Sequence, residues 1–131
     1  MPAGKLPLKT AQNVKQTEEA RAELLSSIQE VLGLAMDVTL DIDWSEIAAA
    51  ADARGYNNRA GECVNTLLTS LRDNLKKHAQ VEMVRDNIAA AWTTGVIKHE
   101  LNDKKQQYCG AVIEDGDLIM QVSFVFPCLC F

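Results

Sequence analysis

This 131-residue chain has no surplus of positive charge: 13 Lys and Arg stand against 18 Asp and Glu, for a net charge of −5. That excludes a polycation held to nucleic acid or to a membrane surface by bulk attraction, but not a local basic face. No apolar run reaches the roughly 18–20 residues that span a bilayer, so no membrane partner is expected. The first ten residues lack the apolar stretch of a secretory signal, and Pro2, Gly4 and Pro7 punctuate them as a loose tail. Cysteine is sparse. Cys63, Cys109, Cys128 and Cys130 do not have the spacing of a secreted disulfide scaffold, so the thiols read as reduced and the protein as intracellular. No run of residues spells a nucleotide loop, a metal cage or a nucleophile–base pair, and the only histidines are His78 and His99. The expectation is a binding protein, not an enzyme, with no cofactor and no metal.

What is present is an ordinary globular composition, 47% hydrophobic, in a length that suits one domain or one small domain with an extension. After a disordered tail over 1–13, Thr17 is the candidate N-cap of a first helix, with Glu18 and Glu19 near its positive end. Leu24, Leu25, Ile28, Val31 and Leu32 follow helical spacing, and Gly33 is the stop. Ser45 is the candidate N-cap of a second helix through the Ala48–Ala51 block to about Ala53, ended by Gly55. From Arg59 a third helix carries the strongest apolar stripe of the chain: Ala60, Cys63, Val64, Leu67, Leu68, Leu71 and Leu75. A fourth helix is expected over Val81 to Ile97.

Between the first two helices, Val38, Leu40, Ile42 and Trp44 alternate with Asp37, Thr39, Asp41 and Asp43. That period of two suggests a half-buried strand, against which stands the poor strand propensity of aspartate. A loop is the competing reading. At the other end, Tyr108–Ile113 and Leu118–Phe126 flank Glu114-Asp115-Gly116-Asp117, and Asp-Gly between apolar runs signals a β-hairpin. Leu118, Met120, Val122, Phe124 and Phe126 share one face of its second arm.

Three pieces of the first half resemble, in order, the Myb/SANT-like helix-turn-helix family. Thr17-Glu18-Glu19 followed by Leu24-Leu25 is similar to that family's opening helix. Asp43-Trp44-Ser45-Glu46-Ile47-Ala48 is similar to its second. Arg59, Glu62-Cys63 and Leu67 are similar to the start of its third, recognition helix. The match spans about residues 17–77, and Gln16 and Leu67 stand where the pattern has tryptophans. The resemblance implies a nuclear three-helix module that binds double-stranded DNA or a chromatin protein, with Trp44, Ile47, Cys63, Val64 and Leu67 in its core. Its DNA-facing residues would be Arg59, Asn65, Thr66, Thr69, Arg72 and Lys76, with arginine and asparagine suited to base edges and lysine and threonine to phosphates. From Ile42 to Gln80 five basic residues meet five acids, so the module is neutral rather than basic.

Other clusters read more simply. Asp37, Asp41 and Asp43 form a solvated acidic edge, lacking the glycine turn and ligand order of a calcium loop. Cys109, Cys128 and Cys130 with His99 offer four soft ligands, but Cys128-Leu129-Cys130 is one residue too tight for a zinc knuckle, and the cysteines read as buried thiols beside apolar neighbours. Cys128 to Phe131 also scans as a terminal prenylation box, without the polybasic run that usually precedes one.

The sequence thus predicts a mainly α protein: a tail over 1–13, a Myb/SANT-like module over 14–79, and a helix plus β-hairpin over 80–131. The alternative is an α+β interaction module, cytoplasmic rather than nuclear. There Met36–Trp44 would join the hairpin in a three-stranded antiparallel sheet, and the C-terminal strand would drive homodimerisation.

Overall fold

A computed structural model describes residues 6–53, 55–101 and 110–122. Among them are five helices and four strands: α1 (Leu8–Gln16), α2 (Glu18–Leu32), β1 (Thr39–Leu40), α3 (Trp44–Ala53), α4 (Ala60–Ala79), α5 (Glu82–Ala91), β2 (Val96–Leu101), β3 (Gly110–Glu114) and β4 (Asp117–Val122). The strands form one mixed sheet in the order β1-β2-β4-β3, with β1 parallel to β2, β2 parallel to β4, and β3 antiparallel to β4. This corrects the expected mainly α fold of a three-helix Myb/SANT-like module carrying a hairpin. It also corrects the antiparallel alternative: residues 39–40 pair in parallel with β2, not with the hairpin.

Helix α4 is the centre of the helical layer and packs against α1, α2, α3 and α5. Its stripe is buried as its spacing demands, with Val64, Leu67 and Leu68 wholly inside. The sheet contributes one face to the same core. Along β4, Leu118, Met120 and Val122 are buried while their neighbours are half-exposed. The register places Ile97 beside Leu118 and His99 beside Met120, so one face of β2 and β4 looks inward. Trp92 is fully buried, and its indole N–H donates to the Val96 carbonyl at 3.0 Å.

Several differences have local causes. The segment expected as a loose tail is helical from Leu8, because α1 is held by polar bonds and close backbone contact rather than by an apolar stripe. Its Asn13 side chain accepts from the Glu62 N–H at 3.2 Å, serving the N-terminus of α4, which Arg59 does not cap with its own side chain. Helix α3 starts one residue earlier than its expected cap. Asp43, not Ser45, accepts the Ser45 and Glu46 N–H groups at 3.0 and 3.2 Å. The expected fourth helix stops at Ala91, and Gly95, at φ +72°, turns the chain into β2. The expected turn is present, with Asp115 and Gly116 both at positive φ, the backbone of a type I′ turn, and it joins β3 to β4 within the four-stranded sheet. Gly33 ends α2 in the left-handed conformation.

Candidate functional site

The sequence placed the interface on the outer face of α4, and the structure shows what those side chains do. Arg59 is exposed, 3.8 Å from Glu62. The Thr66 and Thr69 hydroxyls donate back to the carbonyls of Glu62 and Asn65, at 3.0 and 2.8 Å. Arg72 makes two bonds to the neighbouring Asp73 carboxylate, at 3.2 and 3.1 Å. It also borders a groove shared with Thr69 and Glu23 of α2. Lys76 is exposed, with no ion pair among the described residues. Asn65 does not face outward with the others. Its amide donates to the Thr17 carbonyl at 3.0 Å, and its carbonyl oxygen accepts from Arg21 at 3.2 Å.

Asn65 thus leads to a side chain that no local sequence signal marks. Arg21, in the first turn of α2, is only 6% exposed. Its Nη1 donates to Thr17 Oγ1 at 3.0 Å as well as to Asn65, and its Nη2 donates to the Val14 carbonyl at 2.8 Å. Val14 lies in the last turn of α1, whose final carbonyls lack helical partners and carry the negative end of the helix dipole. The guanidinium and the Thr17 hydroxyl, which bonds the Asn13 carbonyl at 2.8 Å, together close that helix end. Above the guanidinium lies Trp44, its ring centroid 4.7 Å from Cζ, a cation–π contact. Burial pushes the Arg21 pKa down and nearby Glu18 opposes the shift; an arginine stays charged through such a change.

Arg21 and Trp44 line a cavity of about 570 Å³ between α1, α2 and the edge of the sheet. Val14, Leu25 and Leu40 are among its apolar walls, and Lys15 and Glu18 are its other charged residues. Val38, Thr39 and Leu40 all line it. Side chains alternate across a strand, so with both residues of β1, Thr39 and Leu40, lining it after Val38, the cavity lies along the strand's edge and not over one face. Thr39 and Asp41 donate their N–H groups to the carbonyls of Gly95, just before β2, and Ile97 of β2, at 2.9 and 2.8 Å. The Leu40 N–H and carbonyl between them therefore point the other way, toward the edge of the sheet that has no further strand among the described residues.

The remaining sequence candidates fall elsewhere. His99 is 92% covered, within 3.6 Å of Glu46 of α3, on the inward face of β2, and His78 is exposed at the end of α4. Cys63 is buried, and desolvation pushes its thiol up to about 11, which suits packing and not nucleophilic chemistry. Asp43 caps α3, and its pKa is held below the usual carboxylate range by bonds from Ser45 and the Glu46 N–H. No group of three or more metal-ligating side chains occurs among the described residues, and no described helix is long and apolar enough to cross a membrane. Cys109, Cys128, Cys130, Phe124 and Phe126 lie outside the described residues, as does Arg54. Over Leu118–Gln121 the C-terminal strand β4 is paired on both sides, so the sheet edges open among the described residues belong to β1 and β3. Comparison with known protein families, curated proteins and solved structures found no match.

Proposed function

We propose that this protein is a non-catalytic interaction module that accepts an extended polypeptide segment in the groove between α1, α2 and β1. The observation that carries this is the placement of Val38, Thr39 and Leu40 along one cavity, at a strand edge that is open among the described residues. An incoming strand can pair with the Leu40 backbone and lay alternate side chains against Leu25, Val14 and Trp44. Main-chain bonds then supply affinity and the side-chain walls supply selectivity. The rival reading, duplex DNA on the outer face of α4, draws less support. Its arginines already face carboxylates, its threonines bond their own helix, and Asn65 is turned inward.

The test is a selection of displayed random heptapeptides on the whole protein, followed by amide chemical-shift mapping of a selected peptide and, separately, of a mixed-sequence duplex at two salt concentrations. The reading expects peptide-induced shifts centred on Val38–Leu40, Arg21 and Trp44. An empty selection overturns it. So does a duplex that binds with a salt-dependent affinity and shifts Arg59, Arg72 and Lys76, which would return the function to α4.

A further inference from the structure

The groove holds a buried cation whose described partners are all neutral. Thr17, Asn65 and the Val14 carbonyl take three of the five guanidinium N–H groups. No carboxylate lies within ion-pair distance of Arg21 among the described residues; Glu18, one turn away on α2, is exposed and acts only at longer range. The negative end of α1 offsets part of the charge. Two donors remain without a described partner, Nε–H and one hydrogen of Nη2. Nε and Nη2 form one of the edges on which a guanidinium takes a carboxylate with two parallel bonds. The Trp44 ring covers one face of the guanidinium, and the lower local dielectric strengthens a bond made at its edge.

We infer that the segment bound in this groove carries an aspartate or glutamate whose side-chain carboxylate docks on Arg21; the inference rests on the groove reading above. A side chain, not a chain terminus, is the occupant for a geometric reason. A strand added to β1 runs about 4.8 Å from it in the plane of the sheet. Arg21 stands on α2, across the groove from that edge, so what reaches it from the added strand is a side chain. The residues two before and two after the acid point the same way and meet the apolar walls formed by Leu25, Val14 and Leu40. The recognised pattern is therefore apolar-x-acid-x-apolar in extended form.

The probe is acetyl-Thr-Val-Thr-Glu-Thr-Val-Thr-amide, compared with the same peptide bearing Gln in place of Glu and titrated into the full chain. The acid peptide is expected to bind about 10- to 100-fold more tightly, the range of a charge-assisted hydrogen bond exchanged for a neutral one. The comparison changes the ligand alone, so the fold of the protein is not at risk. Exposed Lys15 also lines the groove, and Lys15→Gln should leave the Glu-over-Gln ratio unchanged; loss of the ratio in that variant overturns docking on Arg21. Equal binding of the two peptides, with shifts still at Val38–Leu40, removes the acid and leaves the groove reading standing. Binding by neither peptide also overturns the acid preference, while the heptapeptide selection decides the groove separately. A Gln peptide whose affinity is restored by a free C-terminal carboxylate shows that the site reads a chain end and overturns the side-chain assignment.

Discussion

Two arginines on neighbouring helices show opposite uses of the same side chain. Arg72, on the outer face of α4, is about one-third exposed and folded onto the carboxylate of the next residue. Arg21, one helix away, is buried, stacked under Trp44 and bonded only to neutral oxygens. The first arrangement is internally satisfied at the surface, where such a pair contributes little to stability. The second carries a desolvated charge with donors to spare beside a cavity. A surface helix rich in polar side chains can thus be chemically quiet, while a residue that looks structural borders the groove.

The sharpest way to break this contrast is to remove each guanidinium in turn. Arg21→Met should destabilise the protein by on the order of 2–3 kcal/mol, because it leaves the Asn65 amide oxygen and the Val14 carbonyl without their donor and removes the cation from Trp44. Arg72→Ala should stay within about 0.5 kcal/mol of wild type. Denaturant titrations of the two variants measure both. Equal effects would show that Arg21 is an ordinary surface residue and would remove the basis for the groove's charge.

A second variant sharpens the comparison through the backbone. Gly61 lies in the first turn of α4 where α1 crosses it. A Cβ there would stand 2.8 Å from the Asn13 carbonyl oxygen and 2.9 Å from Val14 Cα, both main-chain atoms that cannot swing aside. Helix propensity alone would favour alanine by about 1 kcal/mol. Overpacking costs of about 1–3 kcal/mol should win, so Gly61→Ala is expected to lower the melting temperature by moving α1 off α4. The same shift would pull the Val14 carbonyl from Arg21. A stabilised Gly61→Ala would mean that α1 is loosely seated and the groove wall with it.

How far the sequence showed these features depends on the range of the forces that make them. The α4 stripe, the Gly33 stop and the Asp115-Gly116 hairpin were legible because each is set within a few residues by periodicity or by positive φ. Helix α1 was not, since Leu8–Gln16 carries few apolar residues and is fixed by Asn13 and Gly61, far apart in the chain. The helix expected over Val81 to Ile97 takes in the first two residues of β2, although Thr93-Thr94-Gly95 followed by Val96-Ile97 carries the signal of a break and a strand. The parallel partners of β2 lie in β1 and β4, so no local pairing signal reinforced it. Arg21 was the least legible. Glu18 to Glu23 reads as a solvated helix face, and its burial depends on Trp44 and on Asn65, the latter 44 positions away. Trp44 carries a sequence signal, but that of core packing in a three-helix module and not that of a cover over a cation.

The smallest effect tests what holds Trp44 over Arg21. Trp44 is the first residue of α3, and Asp43 before it takes the Ser45 and Glu46 N–H groups and the Ser45 hydroxyl. Asp43→Ala should lower the melting temperature at pH 7, and Asp43→Asn should restore most of it, since asparagine caps about as well as aspartate. The pH dependence follows from the direction of the shift. The folded Asp43 carboxyl is held below its usual range, first by the Ser45 hydroxyl and then by the Glu46 N–H, with His99 nearby adding to the effect. Its contribution is therefore complete above the unfolded value of about 3.9 and is lost as the pH falls through the lower folded value. The gap between wild type and Asp43→Ala should be constant from pH 7 to about pH 5 and close in more acid solution, with the Asn variant lacking that acid-dependent part. Emission from Trp44, recorded in a Trp92→Phe background, reports whether the indole leaves the guanidinium when the cap is lost. Unchanged emission together with an unchanged melting temperature in Asp43→Ala would show that packing against the core, not the α3 cap, seats Trp44 on Arg21.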